Sequence, residues 1–239
     1  MTAPETPRAA FLRGLRASVP FMLIVVPFAL VFGVVATDAG LRLTEVMAFS
    51  VLVIAGAAQL AAVQLIAENA PTVVVIASAL MVNLRMAMYS AALTPHLGRR
   101  PVWQRALVAY MLTDQAFAAS AAEYDRRPQA SGAVKTAYYF GIALFVCPIW
   151  YAATYAGATA GNATPPGLPL DFALPLTFLA IVAPMLRSLP HLVAALVSVA
   201  GALAGAGLPY NLGLIAAAPV AMAAGAATER WMERRGARA

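Results

Sequence analysis

One arginine interrupts a long apolar segment, 72–94, in the stretch Ser78-Ala79-Leu80-Met81-Val82-Asn83-Leu84-Arg85-Met86-Ala87-Met88-Tyr89. The segment is long enough to cross a bilayer, which takes about 20 residues of helix. A charge at that depth costs at least about 2.5–3.5 kcal/mol, so it normally faces a partner or a watery pathway. The next apolar run, 106–122, carries Asp114 at its midpoint. Two opposite charges at matching depth indicate a polar route through a membrane protein.

Composition supports this reading for the whole chain. Of its 239 residues, 62% are hydrophobic and only 11% are charged, whereas soluble domains carry about 25% charged residues. The net charge of +6 comes from positive residues at the ends and in a few loops, which is how topology-setting charge is distributed. No domain remains to bind nucleic acid. One cysteine excludes an intramolecular disulfide, and two widely separated histidines argue against a metal site.

Eight apolar segments follow one another, separated by short linkers rich in turn-forming residues. They lie at about 17–36, 46–67, 72–94, 106–122, 133–158, 172–186, 190–206 and 210–228. This pattern predicts an all-α polytopic membrane protein with about six to eight transmembrane segments in a single domain, residues 1–239. The first segment is too long for the apolar core of a signal peptide, and we interpret it as a retained span.

A weak internal repeat divides the chain into possible halves at about 10–125 and 130–230. Residues 40–45 resemble residues 167–172 at an offset of 127, and each is followed by an apolar segment with a helix breaker near its middle. The breakers are Gly56 in 46–67 and Pro184 in 172–186. Interrupted segments at corresponding positions of two halves point to the binding site of a transporter, so we expect broken or re-entrant helices there.

Positive charges predict that both termini are cytoplasmic, but they allow two topologies. The counts leave out Arg85. In the first topology all eight segments cross the membrane, which puts 11 positive residues inside and four outside. The four outside are Arg42 and the three at 99–105. If 46–67 and 172–186 re-enter without crossing, the count is again 11 to four, with the three at 126–135 outside instead. The first topology keeps the two halves parallel, whereas the second inverts them.

Arg85 and Asp114 are the main candidates for chemistry. Their connection is short, so we expect the two helices to be antiparallel neighbours at similar depth. Either the pair is a buried ion pair that fixes helix packing, or Arg85 binds a substrate carboxylate while Asp114 binds an ammonium group or a carried proton. On a regular helix Tyr89 shares the face of Arg85, whereas Asn83 points elsewhere.

Gln59 provides a further polar position, directly after Gly56-Ala57-Ala58. A buried amide of this kind bonds across helices. Alternatively, a helix broken at Gly56 frees backbone groups to hold the two ends of a zwitterion. Enzyme signatures are missing, since the chain has neither H-E-x-x-H nor G-x-S-x-G and no nucleophile beside a candidate base. We therefore expect no enzymatic activity.

Four motifs occur in an order and spacing that resemble one protein family. They are Pro27-Phe28-Ala29-Leu30-Val31-Phe32-Gly33, Ala55-Gly56-Ala57-Ala58-Gln59-Leu60-Ala61-Ala62, Asn83-Leu84-Arg85 with Tyr89, and Leu112-Thr113-Asp114-Gln115-Ala116-Phe117. Together they resemble the AzlC-type branched-chain amino acid permeases, the azaleucine-resistance family. The family typically has G-A-S-Q-F at the second motif and T-D-E at the fourth. Gln115 therefore removes a carboxylate that could carry a proton.

The resemblance implies a secondary transporter in the bacterial cytoplasmic (inner) membrane. It would export branched-chain or other hydrophobic amino acids, coupled to protons or another ion, without a cofactor. A small AzlD-type membrane subunit, encoded separately, would be its partner. Arg85 would hold the substrate carboxylate and Asp114 its ammonium group or a proton, with Gln59 and Asn83 orienting the backbone and Tyr89 beside them. The alternative is a non-transporting membrane subunit or scaffold whose Arg–Asp pair is purely structural.

Overall fold

The protein is all α-helical wherever its structure is described. A computed structural model describes residues 5–161, 186, 188–208 and 212–236, and these contain helices, turns and no strand. In chain order the helices are α1 (Pro7–Ser18), a 3-10 turn (Val19–Phe21), α2 (Met22–Asp38), α3 (Leu43–Leu52), α4 (Gly56–Ala67), α5 (Thr72–Leu97), α6 (Val102–Tyr110), α7 (Asp114–Arg126), α8 (Gly132–Gly161), α9 (Leu189–Ala204) and α10 (Leu212–Gly236).

Three helical stretches are long and apolar enough to cross a membrane. They are Pro7–Asp38, which joins α1 and α2 through the 3-10 turn, Thr72–Leu97 and Gly132–Ala160. The helices α3, α4 and α9 are apolar but shorter. This confirms the predicted all-α membrane protein. Pro184 and all but the last residue of the predicted segment 172–186 lie outside the described residues.

The described residues form two compact units. The first comprises 5–63 and 82–161, and the second comprises 64–81, 188–208 and 212–236. In the second unit α9 and α10 pack closely, because a methyl group on Gly205 would collide with Gly213 and one on Gly201 with Ala217. Small residues allow this close approach between membrane helices. The single domain and the two predicted halves stay predictions.

In the first unit, α8 runs parallel to α1 and α2 and packs against both. A side chain at Gly14 would collide with the backbone of Tyr138, and one at Gly157 would collide with the backbone of Leu30. The contacts therefore advance along both stretches in the same direction. The attraction is van der Waals packing between closely spaced backbones, which replaces the hydrophobic effect inside a membrane. The first helices of the two predicted halves are thus not inverted relative to each other.

Two of the predicted spans are broken. Segment 46–67 is divided into α3 and α4 by the non-helical residues 53–55, and Gly56 begins α4. Segment 106–122, which we expected to be one uninterrupted span, is divided into α6 and α7 by residues 111–113. That expectation was wrong because Thr113 adopts an extended conformation, with φ −126° and ψ 163°, and caps α7 by accepting a hydrogen bond from the Ala116 N–H at 3.2 Å.

The second break makes α7 run parallel to the part of α5 in the first unit. Three contacts join them in the same order along both helices: Arg85 to Asp114 at 3.1 Å, the rings of Tyr89 and Phe117 at 4.1 Å, and the rings of His96 and Tyr124 at 5.0 Å. We predicted antiparallel neighbours, which was wrong. The chain therefore turns back in the short helix α6, and residues of α5 and α6 line a common cavity of about 370 Å³.

Several charged segments meet at one end of the first unit, which we call the basic end. Arg127 contacts Glu5 at 2.5 Å, Lys135 contacts His96 at 3.2 Å, and the Arg100 side chain lies beside Gly132. Both predicted topologies put residues 99–105 and 126–135 on opposite sides of the membrane. Both are wrong in this respect, because the break at 111–113 turns the chain back and returns it to the end where it entered.

Engineered disulfides test the parallel arrangement. With Cys147 replaced by Ala, we expect Tyr89→Cys and Phe117→Cys to cross-link under mild oxidation, because their rings are stacked at 4.1 Å. Val82→Cys paired with Phe117→Cys is the control and should remain reduced. An unbroken helix antiparallel to α5 would bring residue 117 beside residue 82 instead, so the opposite cross-linking pattern would disprove the break. The measurement is the mobility shift on non-reducing gels.

Candidate functional site

The centre of the candidate site is the ion pair between α5 and α7. The Arg85 Nη2 and Asp114 Oδ2 atoms lie 3.1 Å apart, and the two side chains are 32% and 42% exposed. Asp114 is the first residue of α7, where the N-terminal end of the helix carries partial positive charge and stabilises a carboxylate. The predicted pairing of Arg85 with Asp114 is therefore confirmed, and the break at 111–113 places its carboxylate at a helix start.

Both members of the pair keep unused hydrogen-bonding capacity. The Arg85 Nε and Asp114 Oδ1 atoms are buried and have no hydrogen-bond partner. A buried polar atom left in that state costs about 1–3 kcal/mol. A ligand with a carboxylate and an ammonium group would satisfy both atoms through charge-assisted hydrogen bonds. The geometry is therefore suited to a zwitterion.

An aromatic pair lies beside the ion pair. The rings of Tyr89 and Phe117 are nearly parallel, with centroids 4.1 Å apart and 8° between their planes. Tyr89 is one turn beyond Arg85 on α5, and its hydroxyl interacts electrostatically with both Asp114 and Arg85. The stack covers the side of the ion pair that faces the basic end, and it adds an apolar surface to a charged site.

The other predicted site residues lie apart from this centre. Gln59 is fully buried, and its Nε2 donates to Ser50 Oγ at 3.2 Å across the break between α3 and α4, while its Oε1 has no partner. Asn83 Oδ1 is also buried without a partner. No described contact joins Gln59 or Asn83 to the ion pair. The structure thus brings together Arg85, Tyr89 and Asp114, and the roles of all five residues stay predictions.

Gly56 is required where it stands. It begins α4, and a methyl group there would collide with the rings of Phe28 and Trp150. The Trp150 Nε1 atom is buried without a hydrogen-bond partner. The region around this break therefore holds two unpartnered buried polar groups, from Gln59 and Trp150, in addition to those of the ion pair.

Tyrosines support both helix breaks, although the sequence pattern did not indicate them. The Tyr139 hydroxyl donates to the Val108 carbonyl at 2.7 Å, near the end of α6, and the Tyr110 hydroxyl donates to the Val51 carbonyl at 2.7 Å, near the end of α3. A helix end exposes carbonyls without intrahelical partners. These two hydroxyls satisfy such carbonyls where water is scarce. A possible signal was the presence of hydroxyl-bearing rings inside apolar segments.

The family of this chain is identified by a segment that includes the candidate site. A family model described as "AzlC protein" matches residues 20–164, which contain both breaks and the ion pair. The chain belongs to the AzlC family. This confirms the resemblance drawn from the four motifs.

Relatives in the curated collections are also membrane proteins. The chain is 29% identical over 185 residues to "Inner membrane protein YgaZ" of Escherichia coli, covering 75% of this chain and 74% of that protein. It is 31% identical over 156 residues to an "Uncharacterized membrane protein" of Archaeoglobus fulgidus, covering 64% of each. No solved structure matches the chain.

Removal of one supporting hydroxyl tests the account of the breaks. Tyr139→Phe leaves the Val108 carbonyl without its donor, and we expect it to lower the free energy of unfolding by about 1–3 kcal/mol. Tyr155→Phe, on the same helix at a position that is 51% exposed, is the matched control and should have little effect. Thermal unfolding in detergent, followed by loss of the monodisperse elution peak, compares them. Equal stability of the two variants would contradict the proposed role.

Proposed function

We propose that this AzlC-family protein is a secondary transporter that exports branched-chain or other hydrophobic amino acids, and that it is not an enzyme. The observation that carries the proposal is the Arg85–Asp114 pair, in which each charged group keeps one buried atom without a partner. An amino acid presents a carboxylate and an ammonium group a few ångströms apart. The pair presents the complementary charges at a comparable spacing.

Binding would proceed by exchange of ion pairs. The substrate carboxylate binds the Arg85 guanidinium, and the substrate ammonium group binds the Asp114 carboxylate. The Arg85–Asp114 pair therefore opens while both charges stay compensated. An exchange of partners keeps both charges paired throughout, whereas a simple opening would leave two charges unpaired in a partly buried site. The apolar side chain of the substrate would lie against the Tyr89–Phe117 stack, which accounts for a preference for hydrophobic amino acids.

A structural role for the pair is the alternative proposal. It is favoured by the fact that the pair joins α5 to α7, because a buried ion pair can serve to fix the packing of two helices. On this view the chain is a non-transporting membrane subunit or scaffold. Well-packed apolar residues at both positions would then preserve its function.

We also propose that the basic end is cytoplasmic. It gathers Arg13, Arg100, Arg127 and Lys135 through described contacts. Arg42 follows α2 at the far end of the Pro7–Asp38 stretch. The excess of positive charge near spans marks the cytoplasmic side. This orientation places the N-terminus in the cytoplasm of a bacterial cell, with the chain in the inner membrane.

A small AzlD-type membrane subunit is the proposed partner. Besides the family resemblance, support comes from the part of α5 in the first unit, which exposes large apolar side chains one turn apart at Leu84 and Met88. Such a stripe requires lipid or another membrane helix to cover it. A neighbouring reading frame of about 100 residues with several apolar spans would support the pairing.

Efflux of a leucine analogue from intact cells tests the proposed function. We expect Arg85→Ala and Asp114→Asn each to reduce efflux by about tenfold or more, since each removes one half of the zwitterion site. Arg42→Ala is the matched control. It breaks an ion pair of 2.6 Å between side chains that are 80% and 43% exposed, and efflux should be unchanged.

The double variant Arg85→Met with Asp114→Leu separates the two proposals. The transporter proposal expects efflux to remain abolished, because no charge is left to bind the substrate. The structural alternative expects the apolar pair to restore function that either single change removes. Membrane levels of every variant are compared by immunoblot, so that loss of expression is not read as loss of transport.

A further inference from the structure

Three side chains from three helices meet at the basic end of the first unit. His96 near the end of α5, Tyr124 on α7 and Lys135 near the start of α8 form what we call the His–Lys cluster. Lys135 Nζ lies 3.2 Å from His96 Nδ1, the rings of His96 and Tyr124 lie 5.0 Å apart, and the Tyr124 hydroxyl donates to the Lys135 carbonyl at 2.8 Å. The cluster takes no part in the proposed binding of substrate.

Lys135 is buried in an unusual way. The residue is only 7% exposed, yet no described carboxylate forms an ion pair with it. Its ammonium group instead donates to the Pro128 carbonyl at 2.9 Å, contacts His96 Nδ1, and lies 5.6 Å from the centre of the Tyr124 ring. All of these partners are neutral acceptors. Buried lysines are usually paired with an acid, so this arrangement depends on the acceptor that His96 provides.

His96 can provide that acceptor in only one protonation state. For Nδ1 to accept from an ammonium group, the imidazole must be neutral with its proton on Nε2. Imidazole is the side chain whose ordinary pKa places its charge change between about pH 5 and 8. A proton on Nδ1 removes the acceptor and leaves two cations 3.2 Å apart. The contact between Lys135 Nζ and His96 Nδ1 and a proton on His96 Nδ1 therefore exclude each other.

The other groups that face the cluster do not change this conclusion. Burial raises the pKa of the Tyr124 hydroxyl, so it stays protonated and continues to donate to the Lys135 carbonyl. Asp125 on α7 interacts electrostatically with His96, and Arg100 lies beside Gly132 at the start of α8. A proton on His96 would therefore repel the Lys135 ammonium group and open the contact between them.

We propose that the His–Lys cluster is the proton-binding site that couples transport to the proton gradient. The inference rests on the proposed transport function and names its coupling ion. One proton binds at His96 Nδ1 and later leaves from the same atom, and no other bond is made or broken. Loss of the Lys135 contact frees the start of α8 from the end of α5.

Two helices connect the cluster to the substrate site. His96 and Arg85 are 11 positions apart on α5, which is about 16 Å of helix. Tyr124 and Asp114 lie on α7, which runs parallel to α5 between the same two points. A displacement at the cluster therefore changes how the two helices meet at the ion pair. Protonation and substrate binding would bias the same rearrangement, which is what coupling requires.

Transport by vesicles tests the proposal. Inside-out vesicles from cells that express the full chain, together with any small membrane subunit encoded beside it, are given radiolabelled L-leucine. Two quantities are measured: accumulation driven by an imposed pH gradient, and leucine counterflow without a gradient. We expect His96→Gln to reduce gradient-driven accumulation by about tenfold or more while counterflow stays within about twofold of the wild type. His191→Gln, the only other histidine, is the control and should change neither.

The outcomes distinguish the proposed transport function from the proposed proton site. Wild-type vesicles without leucine counterflow would overturn the proposed function itself. Gradient-driven accumulation that survives His96→Gln would overturn the proton site and leave transport standing. Loss of counterflow along with accumulation would also overturn it, since His96 would then belong to translocation. If His96→Gln does not reach the membrane, the pH inside wild-type vesicles is followed after leucine is added. Alkalinisation of the vesicle interior is expected, and its absence refutes the proposal.

Discussion

A helix that ends inside an apolar medium must have its terminal backbone groups satisfied by the protein, because lipid offers no hydrogen bonds. In this protein α3 and α6 both end within the first unit. Tyr110 donates to a carbonyl near the end of α3, and Tyr139 donates to one near the end of α6. At the start of α7 the Thr113 hydroxyl oxygen accepts a hydrogen bond from the Ala116 N–H. These local solutions permit two breaks, and the remainder of the architecture depends on them.

The break at 111–113 determines the chemistry of the site. An unbroken helix would present Asp114 in its interior, with no end dipole near it. The break makes Asp114 the first residue of α7, where the positive end of the helix favours a carboxylate. It also reverses the chain within α6, so that α7 runs parallel to α5. Parallel helices keep the ion pair, the aromatic stack and the His–Lys cluster in one order, from the interior to the basic end.

The sequence predicted the ion pair because the physical cost of an isolated charge is large. A charge at the middle of an apolar segment requires a partner, and Asp114 was the opposite charge at matching depth in the next segment. It also predicted the break at Gly56, since glycine is a helix breaker that local composition reveals. The break at 111–113 escaped notice because Met111 and Leu112 are as apolar as their surroundings. The local signal was the cap Thr113 followed by Asp114 in the first turn of α7, and the hydrogen bond from Tyr139 to the Val108 carbonyl is a tertiary contact that local sequence does not reveal.

Helix direction was missed for the same reason. A short connection normally joins antiparallel neighbours, and that rule holds here between α5 and α6. The prediction failed because it assigned α6 and α7 to one helix. Once the break is included, the rule and the parallel pairing of α5 with α7 agree. The break also accounts for the meeting of residues 99–105 and 126–135 at the basic end, which neither of the two predicted topologies allowed.

The two ends of α7 are anchored in different ways, and the difference bears on the proposed exchange of ion pairs. At the basic end Glu123 contacts both Arg13 and Arg127, and Glu5 contacts the same two arginines, so four charges alternate in a closed ring. Each member has two partners, and losing one leaves the other. At the interior end a single contact joins Arg85 to Asp114, with an unpartnered atom on each side. A zwitterion can replace that contact without net loss of charge pairing. On the proposed function, the N-terminal end of α7 is therefore the end that substrate binding would move.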